Sequence, residues 1–526
     1  METLAETPWD VIIAGTGLAQ SLLALALSRS GKKVLHLDKN PYYGGAEAAF
    51  SLDEAQDWMK SVNQHPGQSP FQDVTLSTYQ HPQDPHDSST STQGTPEVCP
   101  KLAASRSYTL SLCPYFLYTR SKLISTLISS KVYRQLDFMA VGSWWIYSLE
   151  HSDAENSDLG ATRVLNRVPG SREDVFADTH IAMKSKRTLM RFLRHISKPQ
   201  DEENPEGDED LSMSFEDYLT SKFSFPPDLQ SPLLSLSLSQ LPLQETSANY
   251  AVARVKRHLT SIGAFGPGFG GVISKYGCGS EILQVACRAS AVGGGVYALD
   301  TGIESFTENE HAAGEEPPVK AKLSTGETVQ TQFMVGSLWD LPNQESPSAS
   351  FARVTRSITI VSSSFPSLFP ITVEGAPLPA SAVLMFPGDT LGSPQSPPVY
   401  LQVHSSDTGD CPRQQSIIYG SVSLAGPEGQ SLLNSAVDRL VRAEGPQAAV
   451  LWSMRYTQVG RLSNGSAEPH LHTLSPHVLR IPPSGLDLAF EDDTVDVVQE
   501  AWQRIVGDEV GREEFMVFDD REASDE

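Results

Sequence analysis

The residues whose spacing most resembles a chemical motif lie near the N-terminus. Gly15, Gly17 and Gln20 stand at the three positions of a GxGxxG fingerprint. In that motif the glycines form a tight turn and let a dinucleotide pyrophosphate approach the N-terminus of a helix. Asp38 stands near the usual distance for the acid that binds the ribose hydroxyls. This spacing indicates a unit of the dinucleotide-binding type.

The same segment argues against a bound cofactor. Gln20 places a large side chain where the third glycine normally allows close packing of helix on strand. A second glycine pair, Gly44 and Gly45, is followed by Ala46, where flavin enzymes of similar layout commonly carry an arginine that offsets phosphate charge. We therefore expect a turn kept for its shape and no cofactor. A flavin-dependent oxidoreductase is the alternative from another functional class.

No other catalytic or metal-binding pattern appears in the sequence. It contains no HExxH, no GxSxG and no P-loop. The five cysteines are odd in number and lack CxxC spacing, which argues against a disulfide framework or a zinc site and favours a reducing compartment. We expect no catalytic residues and no metal ligands.

Composition narrows the possible partners and location. The formal charge of −25, from 64 acidic and 39 basic side chains, disfavours nucleic acid and favours basic partner segments. No apolar run reaches the ~18 residues of a membrane span, and the acidic N-terminus has no signal-peptide pattern. These features predict a cytosolic protein.

The elements that position the glycine motif form a strand–turn–helix–strand unit. Residues 10–14 (DVIIA) and 33–38 (KVLHLD) have strand composition, and residues 18–29 are apolar with good helix formers. The middle of the chain is helical in pattern, although SLSLSQL at 235–241 alternates like a strand. Short β-like runs follow residue 265. The fold class expected is α/β, with a parallel βαβ start, a helical middle and a β-rich return.

Four blocks in order along the chain resemble the Rab GDP-dissociation inhibitor and Rab escort superfamily. The first, at 9–52, contains VIIAGTGLAQS and KNPYYGG, and the second, at 105–138, begins SRSYTLSL. The third, at 167–193, contains SREDVF and KRTLMRFL, and the last, at 274–299, begins SKYGCGSEILQ. Four collinear blocks are far more specific than a single glycine motif.

The resemblance implies a discontinuous FAD/NAD(P)-binding-like (Rossmann-type) domain I with β-rich additions, plus a smaller all-helical domain II. Domain I would bind the Rab surface and domain II would shelter the prenyl groups. The expected boundaries are domain I at 1–62, 105–160 and 263–491, a disordered insertion at 63–104, domain II at 161–262, and a C-terminal helix with an acidic tail at 492–526.

The resemblance also assigns candidate binding residues. The Rab-binding platform of the family maps onto Tyr43, Arg106, Glu281, Gln284 and Arg288. If Ser280 caps a helix, positions 281, 284 and 288 share one of its faces. A geranylgeranyl groove is expected between helices, although apolar stripes are more often ordinary core. Its candidate lining is Leu189, Phe192, Leu193, Ile196, Val255 and Leu259.

Within the superfamily, chain length, the insertion after the first block and the wording of the third block favour the escort branch over the recycling inhibitors. Members of that branch bind unprenylated, GDP-bound Rab GTPases and present them to the Rab geranylgeranyltransferase alpha/beta heterodimer. They then shield the geranylgeranyl lipid and deliver Rab to membranes, without an active site of their own. His258 stands where the family uses an aromatic residue to contact the transferase.

Overall fold

The computed structural model describes residues 4–79, 101–150, 162–170, 175, 182–196, 209–309, 317–342, 351–393, 395–463, 469–507 and 510–518. Its helices are α1 (Leu18–Arg29), α2 (Leu52–Gln64), α3 (Lys122–Ser129), α4 (Met183–Ile196), α5 (Phe215–Phe223), α6 (Gln230–Ser237), α7 (Ala248–Ser261), α8 (Gly279–Val292), α9 (Gly388–Leu391), α10 (Gly426–Glu444) and α11 (Asp493–Val506).

Its strands are β1 (Pro8–Ala14), β2 (Val34–Leu37), β3 (Ala49–Phe50), β4 (Phe71–Thr78), β5 (Leu110–Ser111), β6 (Leu117–Tyr118), β7 (Phe138–Glu150), β8 (Thr162–Arg167), β9 (Gly271–Ser274), β10 (Val296–Ala298), β11 (Ile303–Glu308), β12 (Val319–Leu323), β13 (Thr328–Gly336), β14 (Ala352–Val361), β15 (Ser381–Phe386), β16 (Val399–Ser405), β17 (Ser416–Val422), β18 (Val450–Gly460), β19 (His472–Ser475) and β20 (Val478–Arg480).

The first sheet contains the expected βαβ unit. Strands β1 and β2 pair in parallel, with Val11 opposite Val34, and β13 pairs in parallel on the other side of β1, with Ile12 opposite Met334. Strand β10 continues the sheet beyond β2, and β20 pairs in parallel with the end of β13. The carboxyl ends of these strands therefore meet at one edge, where ligands bind in sheets of this type.

Helix α1 is buried on every side, which explains why most of its residues are apolar. It packs on the sheet and against α8 and α11. Leu22, Leu25 and Leu27 have no exposed surface. The turn before α1 and the helix α8 are therefore parts of one rigid core.

The second sheet follows the order β4, β18, β14, β17, β16, β15, β7, β9 and β6, and β8 pairs with β7. The expectation of a disordered insertion from residue 63 is wrong for Phe71–Thr78, because β4 pairs with β18. Two apolar side chains of this strand are buried. Phe71 contacts the rings of Trp58 and Tyr456, and Val74 is the second. Residues 80–100 lie outside the described part of the chain.

The helical part lies beside β7. Helices α4 to α7 enclose a core that includes Phe192, Phe215 and Leu219. Strand β8 pairs with β7 and belongs to the sheet, so the helices begin after the expected boundary at residue 161. The alternating segment at 235–241 ends helix α6 and contains no strand. The predicted α/β class with a smaller helical part is confirmed.

Among the helices of the described residues, none combines the length and the hydropathy needed to span a bilayer.

Candidate functional site

The glycine turn after β1 lines a pocket whose walls include the side chains of Gln20, Glu47 and Asp340. Gly15 has φ +87°, and a Cβ atom there would stand 2.3 Å from Oδ2 of Asp340, so only glycine fits. Asp340 follows β13, whose end lies at the same edge of the sheet. Its Oδ2 accepts hydrogen bonds from the Ser337 hydroxyl and, at 3.5 Å, from Nε2 of Gln20. Gln20 thus reaches back across the turn that a pyrophosphate would line.

Glu47 occupies the N-terminus of α1. A Cβ atom at Gly17, the residue before α1, would stand 3.1 Å from Glu47 Oε2, and Oε1 accepts a hydrogen bond from the Ser484 hydroxyl at 3.2 Å. Oε2 is buried without a hydrogen-bond partner among the described residues. Burial raises the pKa of Glu47 to about 7. A carboxyl group of the chain therefore takes the position at which a helix terminus would bind a phosphate.

Asp38, the expected ribose acid, is fully engaged within the protein. Its Oδ2 accepts from the Thr16 N–H at 3.0 Å and from the Thr16 hydroxyl, and its Oδ1 accepts from the backbone and side-chain nitrogens of Asn40, each at 2.8 Å. It is 1% exposed. Burial, and then the charge of Asp340, raise the pKa of Asp38 to about 6.

These residues do not fit a dinucleotide cofactor. Asp38, Glu47 and Asp340 surround the turn, and two phosphates would add like charge to a buried acidic site. The nearby Lys39 donates to the carbonyls of Gln68 and Trp339. Glu47 and Asp340 were missed in the sequence. The signals available were a glutamate two residues after the glycine pair, and an aspartate after a strand that ends at the ligand edge.

The candidate platform residues of α8 lie on one face, as the spacing predicts. Arg288 Nη2 is 3.5 Å from Glu281 Oε1, and the two side chains are 59% and 24% exposed. Gln284, half-buried, lies between them in sequence. The expectation that Ser280 caps this helix is wrong: α8 begins at Gly279, and Cys278 is the N-cap residue. All three positions nevertheless lie within the helix, so they still share one face.

Tyr43 lies against this helix and Arg106 on an exposed turn. The Tyr43 hydroxyl is 2.8 Å from Ser21 Oγ on α1, and it also interacts with the Cys287 thiol on α8. Arg106 belongs to a short turn whose Ser105 hydroxyl accepts a hydrogen bond from the backbone at the start of α2. Tyr43 thus joins α1, the helix that follows the glycine turn, to α8.

A buried cluster fixes the start of α8. The side-chain ligand atoms of Cys278, His404 and Asp410 lie within 4.8 Å of one another. His404 Nδ1 is 2.8 Å from Asp410 Oδ2, and Asp410 Oδ1 accepts from the Gly277 N–H at 2.8 Å. Because the histidine and the aspartate already partner each other, the cluster is accounted for as an anchor for α8. The cysteines described are free and buried: Cys113, Cys278, Cys287 and Cys411.

The predicted prenyl-groove residues are packed as core in this structure. Phe192 and Val255 have no exposed surface, and Leu259 is half-buried at the rim of the same cluster. Leu189, Leu193 and Ile196 are likewise buried. They therefore line no open groove here, and a lipid would have to displace packed side chains of this cluster.

The expectation that His258 contacts a partner is wrong for this structure. Its side chain is 3% exposed, its ring centroid is 4.5 Å from that of Trp144, and its Nδ1 is 3.4 Å from the Tyr118 hydroxyl. Burial lowers the pKa of His258 to about 4. The imidazole is thus a neutral core group, consistent with its position three residues after the buried Val255.

Comparison with known proteins identifies relatives over most of the chain. The family model for the GDP dissociation inhibitor matches residues 5–73 and 90–379. "Rab proteins geranylgeranyltransferase component A" of Candida albicans is 28% identical over 420 residues, which cover 78% of this chain and 59% of that protein. The protein of the same name from Saccharomyces cerevisiae is 26% identical, over 82% of this chain and 64% of that protein. The aligned part therefore spans about six tenths of these relatives.

A solved structure supports the fold independently. The Rab GDI of Plasmodium falciparum superposes with a TM-score of 0.63 at 17% identity, covering 94% of this chain and 98% of that structure. At this identity the likeness bears on the fold alone.

Proposed function

This chain belongs to the GDP dissociation inhibitor family, and on that premise we propose that it is a Rab escort protein. It binds GDP-bound, unprenylated Rab GTPases and presents them to the Rab geranylgeranyltransferase alpha/beta heterodimer. It then shields the geranylgeranyl lipid and delivers Rab to membranes from the cytosol. The names of the two fungal relatives support the escort role over recycling of prenylated Rab.

The observation that carries the proposal is the polar face of α8 beside Tyr43. A partly exposed arginine, an amide and a carboxyl group stand on a helix whose other side is locked into the core through Leu283 and Val285. Such a rigid, mixed polar face suits the polar switch surface of a GTPase, and arginine is favoured at interface hot spots.

The chemistry of the transferase would belong to its own subunits, and this chain would act as an accessory component. Its part is to hold Rab with the C-terminus accessible. The glycine turn, lined by Glu47 and Asp340, would support Tyr43 through α1 and take no part in a redox step. A recycling inhibitor is the second candidate, because the family carries that name.

The test is a reconstituted prenylation assay with purified transferase, Rab and lipid donor. Adding this chain is expected to stimulate lipid transfer to unprenylated Rab. Arg288→Ala should weaken Rab binding by about 1–3 kcal/mol, or roughly fivefold to 150-fold. The matched control is Arg512→Ala, at an exposed arginine away from α8. Absence of stimulation by the unaltered chain, together with tight binding of prenylated Rab, would identify a recycling inhibitor.

A further inference from the structure

Helix α4 presents a row of positive charges to solvent. Lys184, Arg187, Arg191 and Arg194 follow one another at intervals of three or four residues and are all exposed. That spacing places them on one face of the helix. Residues Met183–Ile196 include no acidic side chain. The row extends over about 15 Å, at 1.5 Å per helical residue.

The core holds this row in place from behind. The opposite face of α4 packs into the hydrophobic cluster of the helical part through Leu189 and Phe192. Arg191 lies 5.7 Å from the Phe223 ring centroid and donates a hydrogen bond to the Phe223 carbonyl. The row is therefore a fixed surface of the folded protein.

The other three cations of the row are available to bind a partner. Within the described part of the chain, Lys184, Arg187 and Arg194 form no ion pair or side-chain hydrogen bond. The whole protein carries a formal charge of −25, so this row is a local exception to an acidic composition. Near a negative surface, an acidic protein with one cationic face orients with that face toward the surface and its other faces away from it.

We propose that the cationic face of α4 docks on the anionic phospholipid surface of a membrane. A row of four cations with no accompanying acid fits an extended, continuous negative surface. Met183, at the start of the same helix, is 62% exposed and can enter the headgroup region. The proposal extends the delivery role proposed above. The binding of α4 to a membrane does not depend on that role, but the biological purpose of the binding does.

Docking in this orientation has a consequence for delivery. The same helix carries charge outward and contributes Leu189 and Phe192 to the core inward. A membrane bound to its outer face would bring the helical part, where the lipid is expected, next to the bilayer. The row would also let a protein of negative net charge approach an anionic membrane, because the cations are gathered on one face.

The test is vesicle co-sedimentation of the full chain at low ionic strength. The probes are vesicles of phosphatidylcholine alone and of phosphatidylcholine mixed with phosphatidylserine. The triple variant Lys184→Gln, Arg187→Gln, Arg194→Gln is compared with a control triple, Lys33→Gln, Lys60→Gln, Arg512→Gln, which removes three exposed charges elsewhere. The full chain is required because the sequence just after α4, at 201–210, is acidic.

The unaltered chain and the control triple should bind the mixed vesicles in a salt-sensitive manner and bind neutral vesicles poorly. The α4 triple should bind the mixed vesicles up to about a hundredfold more weakly, since each basic residue near such a surface contributes roughly fivefold. Equal binding by the two triples, or no binding by the unaltered chain, would overturn the proposal. So would a loss of transferase binding by the α4 triple with vesicle binding intact, which would indicate an acidic protein partner.

The same proteins are also assayed for binding of unprenylated Rab. That binding is expected to be equal in all three, because the altered residues lie outside the α8 platform. A chain that binds vesicles through α4 but fails to bind Rab would refute the escort function and leave the membrane surface standing. The vesicle arm contains no Rab, so the two failures are distinguishable.

Discussion

Replacing Glu47 with glutamine should raise stability at neutral and alkaline pH while leaving acid stability unchanged. Glu47 is 6% exposed, its Oε2 has no partner among the described residues, and burial raises its pKa from 4.5 to about 7. Glutamine matches the protonated acid in shape and is uncharged. Its carbonyl oxygen can keep the hydrogen bond from the Ser484 hydroxyl.

The direction in which stability changes with pH follows from proton binding. Between pH 4.5 and 7 the folded protein keeps a proton on Glu47 that the unfolded chain has lost, so stability falls as pH rises through this window. At 1.36 kcal/mol per pKa unit, the loss reaches about 3 kcal/mol above pH 7. The Glu47→Gln variant loses no such proton. Its advantage over the unaltered protein should therefore grow from near zero at acid pH to about 3 kcal/mol at pH 8.

The assay is urea unfolding of both proteins at several pH values between 4.5 and 8. The difference between their midpoints isolates Glu47, because every other group titrates in both. Glu428→Gln, at an exposed glutamate at the start of α10, is the matched control and should follow the unaltered protein. A difference that does not change with pH, or a glutamine variant that is less stable at pH 8, would refute the buried-acid interpretation of this turn.

Two further outcomes are expected. His258→Phe should remove a pH dependence of the opposite sign. Burial lowers the pKa of this imidazole to about 4, so the unaltered protein should lose stability as pH falls from 6.5. Thermal melts at pH 7 and pH 5 will show whether the stability of the phenylalanine variant depends less on pH. Phe192→Ala should lower the free energy of unfolding by about 3–5 kcal/mol if the side chain is ordinary core. Unchanged stability with weaker retention of prenylated Rab would instead place Phe192 in a lipid groove.

The parts of the fold that could be predicted are those that local pattern determines. The runs DVIIA and KVLHLD flank an apolar helix, and their parallel pairing with Val11 opposite Val34 follows from the βαβ unit. The polar face of α8 could be placed because helical spacing alone brings Glu281 and Arg288 together. The error of two residues in the N-cap, Ser280 in place of Cys278, did not matter, since the spacing is independent of the cap.

The parts that could not be predicted depend on contacts between distant segments. Asp340 reaches Gln20 across 320 positions of sequence, and no local pattern joins them. Strand β4 forms because β18 offers it an edge, so two buried apolar residues suffice where composition alone indicates disorder. Helical periodicity marks Phe192 and Val255 as inward-facing but does not distinguish a filled core from a groove that a lipid can open.

Because the carboxyl group at the N-terminus of α1 belongs to the chain, this helix terminus does not depend on the supply of a bound ligand. A protein that holds a cofactor at such a terminus gains stability by mass action and loses it when the cofactor becomes scarce. Glu47 is joined to the chain, so its presence at the helix never varies with the concentration of a metabolite. The contact between Glu47 and Ser484 beside this terminus is therefore formed whatever the flavin content of the cell.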